Sequence, residues 1–141
     1  MTALPSHTFF EQLLGRGEPS EEPLPSLAVV YFTAIWCKKC KTFDLPKIMS
    51  ALPQATWYKN DIDKNENSYA YSKLRSIPSF VVIQEKKYMG KLDVETVMEI
   101  NLHLTNEYAK THTKEETESY KQTLPKGVTE EYVLTWLKQF V

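Results

Sequence analysis

The 141 residues are 42% hydrophobic and 12% aromatic, which fits one globular domain with a single core of ordinary size. Seventeen Lys and Arg against eighteen Asp and Glu leave a net charge of −1, which excludes a protein held to nucleic acid by bulk electrostatics. No window approaches the roughly 18 apolar residues of a membrane span, and residues 1–10 lack the charged start and apolar run of a secretory signal, so a soluble, cytoplasmic protein without membrane partners is expected.

Ser6 is placed to cap a short helix through residue 14, because Phe9, Phe10, Leu13 and Leu14 recur at helical spacing. Residues 15–26 hold two glycines, three prolines and three glutamates and read as a loop. Residues 27–33 are continuously apolar, β-branched or aromatic apart from the closing threonine, the pattern of a central strand buried on both faces. The next helix opens at Cys37 and should bury Phe43, Ile48, Met49 and Leu52. Pro46 inside it should remove one backbone hydrogen bond and bend it. A strand over 55–62, a polar turn over 63–68 and a short helix over 69–74 follow. A strand over 80–83, a turn over 84–87 and a returning strand over 88–92 come next. The order β-α-β-α-β-β-α predicts an α/β fold with a mixed sheet between helices.

Thr129, followed by Glu130 and Glu131, predicts the cap of an amphipathic helix with Tyr132, Val133, Trp136, Leu137, Phe140 and Val141 on one face. An earlier helix over about 93–108 has its apolar stripe interrupted by Asn101. Residues 111–123 are nearly all polar and read as solvated helix or loop, with 124–127 as the turn into the last helix.

Cys37 and Cys40 are the only cysteines, so chemistry that needs two sulfurs is confined to this place. In a reducing compartment such a pair is redox-active or metal-binding more often than structural. The first sulfur lies near unpaired helix N–H groups that favour a thiolate. The second is one turn on, within reach of a mixed disulfide formed at the first. Free cysteine ionises near pH ~8.5, and a helix start in a Cys-x-x-Cys motif brings this to ~3.5–7.5. Lys38, Lys39 and Lys41 add positive charge. Zinc would need a third and fourth ligand, and His7, His103 and His112 lack ligand-like spacing, so no metal site is expected.

Three landmarks occur in order: Trp36-Cys37-Lys38-Lys39-Cys40 after an apolar strand, Asp61-Ile62-Asp63 closing a later strand, and Ser76-Ile77-Pro78-Ser79-Phe80 opening another. With them the sequence resembles the thioredoxin family over roughly residues 6–92. The resemblance implies a thioredoxin-like fold with an extended helical C-terminus. The single domain of residues 1–141 would have a core over 6–92, a closing helix over 129–141 and a helical insertion over 93–128. It implies a thiol–disulfide oxidoreductase without cofactor that exchanges the Cys37/Cys40 dithiol with disulfides of protein substrates. Its electrons would come from a thioredoxin-reductase-like or glutathione-linked donor. It also implies a cis bond before Pro78, with Ile77 offering its backbone to an extended substrate and Trp36, Ile77 and Gly90 lining an apolar docking surface. Gly90 reads equally well as a bulge glycine.

Two departures from the family bear on tuning. Tyr31 stands where thioredoxins place a buried aspartate, a feature similar to tryparedoxin and nucleoredoxin relatives, and it leaves Lys59 without its usual partner, as an exposed strand-edge lysine. Lys38-Lys39 replaces the usual Gly-Pro and should stabilise the thiolate, making the disulfide more oxidising. The competing reading is a redox-inactive thioredoxin-fold interaction module that has kept its cysteines.

Overall fold

The structure, a computed structural model, describes all residues 1–141. Five strands form one sheet in the order β1-β3-β2-β4-β5, with β1 (Thr2–Ala3), β2 (Leu27–Thr33) and β3 (Thr56–Asp61) parallel. β4 (Ser79–Gln84) runs antiparallel to β2, and β5 (Lys87–Leu92) antiparallel to β4. This is the expected mixed α/β sheet, with one strand more than the sequence suggested. β1 is two residues long, too short to carry a hydrophobic period.

β2 is buried along its whole length, and the two-residue alternation of a strand splits its side chains between two cores. Leu27, Val29 and Tyr31 join Phe80 and Val82 on one face. Ala28, Val30 and Phe32 join Val81 and Ile83 on the other, under Phe10 and Leu13 of α1 (His7–Leu13), which Ser6 caps. The first face also takes Cys37, Cys40, Ile48 and Leu52, together with Val97 from α5 (Val94–Ala109) and Val133 and Leu137 from α7 (Glu130–Leu137). α7 is capped by Thr129 as expected and continues into a 3-10 turn, Lys138–Phe140.

Several boundaries differ from the sequence expectation. The helix after Cys37 does not bend at Pro46 but is two helices, α2 (Lys38–Lys41) and α3 (Leu45–Ala51). Asp44 caps α3 by accepting from the Lys47 N–H at 3.2 Å, so Pro46 falls in the first turn, where a missing N–H costs nothing. Phe43 fills the break and is buried, while Met49 stays partly exposed. The short helix expected over 69–74 is α4 (Glu66–Tyr71), starting earlier because Asn65 accepts from the Ser68 N–H and ending before Lys73, whose φ is +55°. Residues 113–124 form α6 (Lys114–Thr123) between Thr113 and Leu124, opened by a Thr113–Glu116 capping box. Asn101 interrupts the stripe of α5 for a reason: its side-chain N–H donates to the Pro125 carbonyl at 2.6 Å and ties α5 to the turn before α7. Within α7 the fully buried residues are Val133 and Leu137, while Trp136 and Phe140 are half-buried and Val141 is exposed. No helix is long and apolar enough to cross a membrane.

Candidate functional site

The register brings the three sequence landmarks to one end of the sheet. Thr33, the last residue of β2, pairs with Asp61 at the end of β3, and Phe32 pairs with Ser79 at the start of β4. The Ala34–Cys37 turn, the Ile62-Asp63 corner and the Ile77-Pro78 loop must therefore meet there. The Ile62 N–H donates to the Thr33 carbonyl at 2.9 Å, and the Trp36 indole N–H donates to the Asp63 carboxylate at 2.9 Å. That bond fixes an indole that is otherwise 63% exposed beside Ile35, which is 74% exposed. Two large apolar side chains are thus left open at this end of the sheet.

Cys37 and Cys40 form a disulfide with their Cα atoms 5.3 Å apart. Cys37 is the N-cap of α2, and its sulfur accepts the Cys40 N–H at 3.1 Å, while its own N–H donates to the Ala34 carbonyl. α2 has only four residues, so a Cys37 thiolate would meet this directed N–H rather than the dipole of a long helix. Both cysteines are buried, Cys37 no more exposed than Cys40.

The Ile77-Pro78 bond is cis, and Pro78 is buried while Ile77 is half-buried against the core that holds the cysteines. The N–H and C=O of Ile77 take part in no hydrogen bond, so this backbone is unpaired at the rim of the site.

Tyr31 lies beneath the cysteines' face, 1% exposed, its ring 5.2 Å from that of Phe80. Burial pushes its hydroxyl pKa up, so it is protonated at neutral pH. Lys38, Lys39 and Lys41 are exposed around α2. Lys39 turns toward the C-terminal helices: its Nζ lies 2.8 Å from where a Cβ on Gly127 would sit. Lys59 is exposed and makes no ion pair, but it is not at the sheet edge, since β1 pairs outside it. Gly90 lies under Phe140 and Trp136 beside the β4–β5 register shift, where a Cβ would meet both rings at 3.5 and 3.7 Å. His7 bonds Ser68 and Glu11, and His112 stacks on Tyr108, so neither histidine faces the sulfurs.

Sequence reasoning missed two members of the site. Asp63 was visible as a landmark but not as the partner of Trp36. Glu130 read only as a first-turn acid of α7, yet its carboxylate accepts the Asp44 N–H at 3.0 Å, across 86 residues. That bond, with the field of Lys47 and Lys39 added, lowers its pKa.

A mixed sheet carrying a Cys-x-x-Cys disulfide at a helix start, beside a cis-proline loop, defines a thioredoxin-like domain. The family model for thioredoxin matches residues 21–106, and the chain belongs to the thioredoxin family. Among curated relatives it is 34% identical over 68 residues to a thioredoxin H-type of Ricinus communis, covering 47% of this chain and 58% of that protein. It is 29% identical over 66 residues to the mitochondrial thioredoxin-3 of Saccharomyces cerevisiae, covering 45% of this chain and 52% of that one. The chain thus spans little more than half the length of these two relatives. Of solved structures, oxidised mitochondrial thioredoxin 3 of Saccharomyces cerevisiae superimposes with a TM-score of 0.55 at 26% identity, over 65% of this chain and 81% of that one. Fasciola hepatica thioredoxin gives a TM-score of 0.52 at 29% identity, over 64% and 84%. Family and close cysteine pair together support a redox role.

Proposed function

We propose that the protein is a thiol–disulfide oxidoreductase acting on disulfides of protein substrates. In this reading the Cys37 thiolate attacks a substrate disulfide, forming a mixed disulfide and releasing one substrate thiol. Cys40 then attacks the Cys37 sulfur, releasing the second substrate thiol and closing the Cys37–Cys40 disulfide. Two electrons pass to the substrate, and a thioredoxin-reductase-like or glutathione-linked donor restores the dithiol. The observation that carries the reading is the Cys37–Cys40 pair itself, with Cys37 capping α2 and its sulfur accepting the Cys40 N–H. The unpaired Ile77 backbone, with Trp36 and Ile35 exposed beside it, supports docking of an extended segment.

The test is reduction of insulin by dithiothreitol. Catalytic amounts of protein should shorten the lag before insulin precipitates, and Cys37→Ser should restore the uncatalysed lag. A wild-type lag equal to the protein-free control refutes the reading and favours the redox-inactive interaction module.

A further inference from the structure

α5 is apolar on two faces, and the fold covers only one of them. On the covered face Val97 is fully buried, Asn101 donates to the Pro125 carbonyl, and the Tyr108 ring stacks on Tyr120 of α6 at 4.2 Å, so α5 and α6 form a fixed pair. One position further round, Met98 and Leu102 recur at a spacing of four and are 54% and 64% exposed. With Val94, Leu124 and Pro125 they line an open groove of about 930 Å³ between α5 and the residues that end α6. Apolar side chains open in a row along a rigid helix are a surface feature that partner contacts use.

The charges along the groove narrow the choice of partner. Glu95 and Glu99 stand on its α5 side, Lys121 and Lys126 on the opposite side. Glu95 meets Arg75 at 3.3 Å, whereas Glu99, Lys121 and Lys126 make no ion pair within the chain. An anionic membrane, or a partner of one sign, would lose at one wall what it gained at the other. A complementary partner carries an apolar row between an acidic and a basic edge, and this groove is itself such a surface. Turned about a two-fold axis running along the groove, its acidic wall meets the basic wall of a copy and its basic wall the acidic one, with Met98 and Leu102 facing apolar side chains between them.

We propose that this groove is the interface through which two copies of the chain associate. Residues 94–106 of α5 span about 18 Å, and a packed helix pair is about 20 Å across. That footprint of about 360 Å² is smaller than the ~800 Å² per partner of a standard stable interface, so the dimer is weak and concentration-dependent. None of these residues belongs to the cysteine site, so the inference stands apart from the redox reading.

The test is sedimentation velocity on the full chain from about 5 to about 500 μM, a range suited to a weak dimer. The mass should rise with concentration from 16.4 kDa toward twice that value. Leu102→Glu places a charge at an exposed position and should weaken association at least about tenfold. The charges are tested by exchange: Glu99→Lys opposes like charges across the groove, as does the pair Lys121→Glu and Lys126→Glu in a second chain. Each chain alone should stay monomeric, while an equimolar mixture of the two should recover association at the wild-type level. All these positions are exposed, and an unchanged far-ultraviolet circular dichroism spectrum checks that each variant is folded. A wild-type chain that stays at 16.4 kDa over the whole range overturns the proposal. So does a folded Leu102→Glu chain that associates like the wild type, or a mixture that associates no more than its components. A monomer that instead binds phosphatidylserine vesicles, and loses that binding in Leu102→Glu, overturns it in favour of a membrane-facing surface.

Discussion

Truncation after Lys126 tests whether α7 closes the core of the domain, as we propose. The cut removes Val128, Val133 and Leu137, at 0%, 0% and 2% exposure, from the face of the sheet that holds Tyr31, Phe80 and both cysteines. Burying a side chain of this kind contributes about 1.5–3 kcal/mol, so the three supply about 5–9 kcal/mol. A domain of this size is stable by only about 5–15 kcal/mol in total. The cut also leaves the Asp44 N–H without Glu130 and uncovers Gly90. The truncated chain should therefore show no cooperative melting by near-ultraviolet circular dichroism. Truncation after Leu137 is the control, because it removes only the 3-10 turn, half-buried Phe140 and the bond from Gln84 to the Phe140 carbonyl. It should cost about 1–2 kcal/mol and lower the melting temperature by about 3–8 °C. A chain ending at Lys126 that melts cooperatively within about 5 °C of the full protein would refute the argument and place α7 outside the core.

Two further predictions concern single groups. Cys37→Ser should abolish exchange, whereas Cys40→Ser should leave a protein that attacks once and stays attached to its target, visible as a mixed disulfide on a non-reducing gel; the reverse pattern would exchange the two roles. Tyr88 should shape the alkaline limit of stability, because partial burial of its hydroxyl, which donates to the Ser72 carbonyl, raises its pKa from the ordinary tyrosine value to about 12. The folded state then holds this proton while the unfolded chain loses it, so the contribution is complete below pH ~10 and lost as pH rises toward ~12. Tyr88→Phe should lose less melting temperature between pH 9 and 11.5 than the wild type, and equal losses would show that other groups set this limit.

What the sequence made legible was decided by local pattern. Residues 27–33 announce a doubly buried strand because nearly every side chain is apolar, and β2 occupies those residues. Thr129 before two glutamates and an apolar stripe announces α7 for the same reason. The errors arose where one short polar side chain decided the boundary. Asp44 and Asn65 start α3 and α4 by hydrogen bonds that leave no trace in hydrophobic spacing, so a broken helix read as a bent one and α4 was placed three residues late. The site divides in the same way. The cysteines and Ile77-Pro78 are contiguous motifs and could be found. The approach of Glu130 to Asp44, and of Lys39 to Gly127, depends on α7 returning to the start of α3, and no local pattern encodes that return.

In the exchange we propose, the tyrosine at position 31 changes how the resolving step handles its proton. When Cys40 attacks a mixed disulfide it must first lose its thiol proton. Tyr31 cannot take that proton, since burial raises its own pKa and keeps it protonated at neutral pH. The one fully buried carboxylate, Asp93, is committed to the start of α5, accepting from Thr96 and from the Arg75 N–H. Asp63 is held by the Trp36 indole on the open side of the site. In that proposed exchange the proton passes to water or to the departing substrate thiolate. In that reading a thiolate here has the Cys40 N–H and the exposed lysines around α2 to favour it, rather than a buried base beneath the sulfurs. Surface charges are screened by salt far more than buried ones. In the exchange we propose, a redox poise set in this way follows the ionic surroundings more closely than one set by a carboxylate in the core.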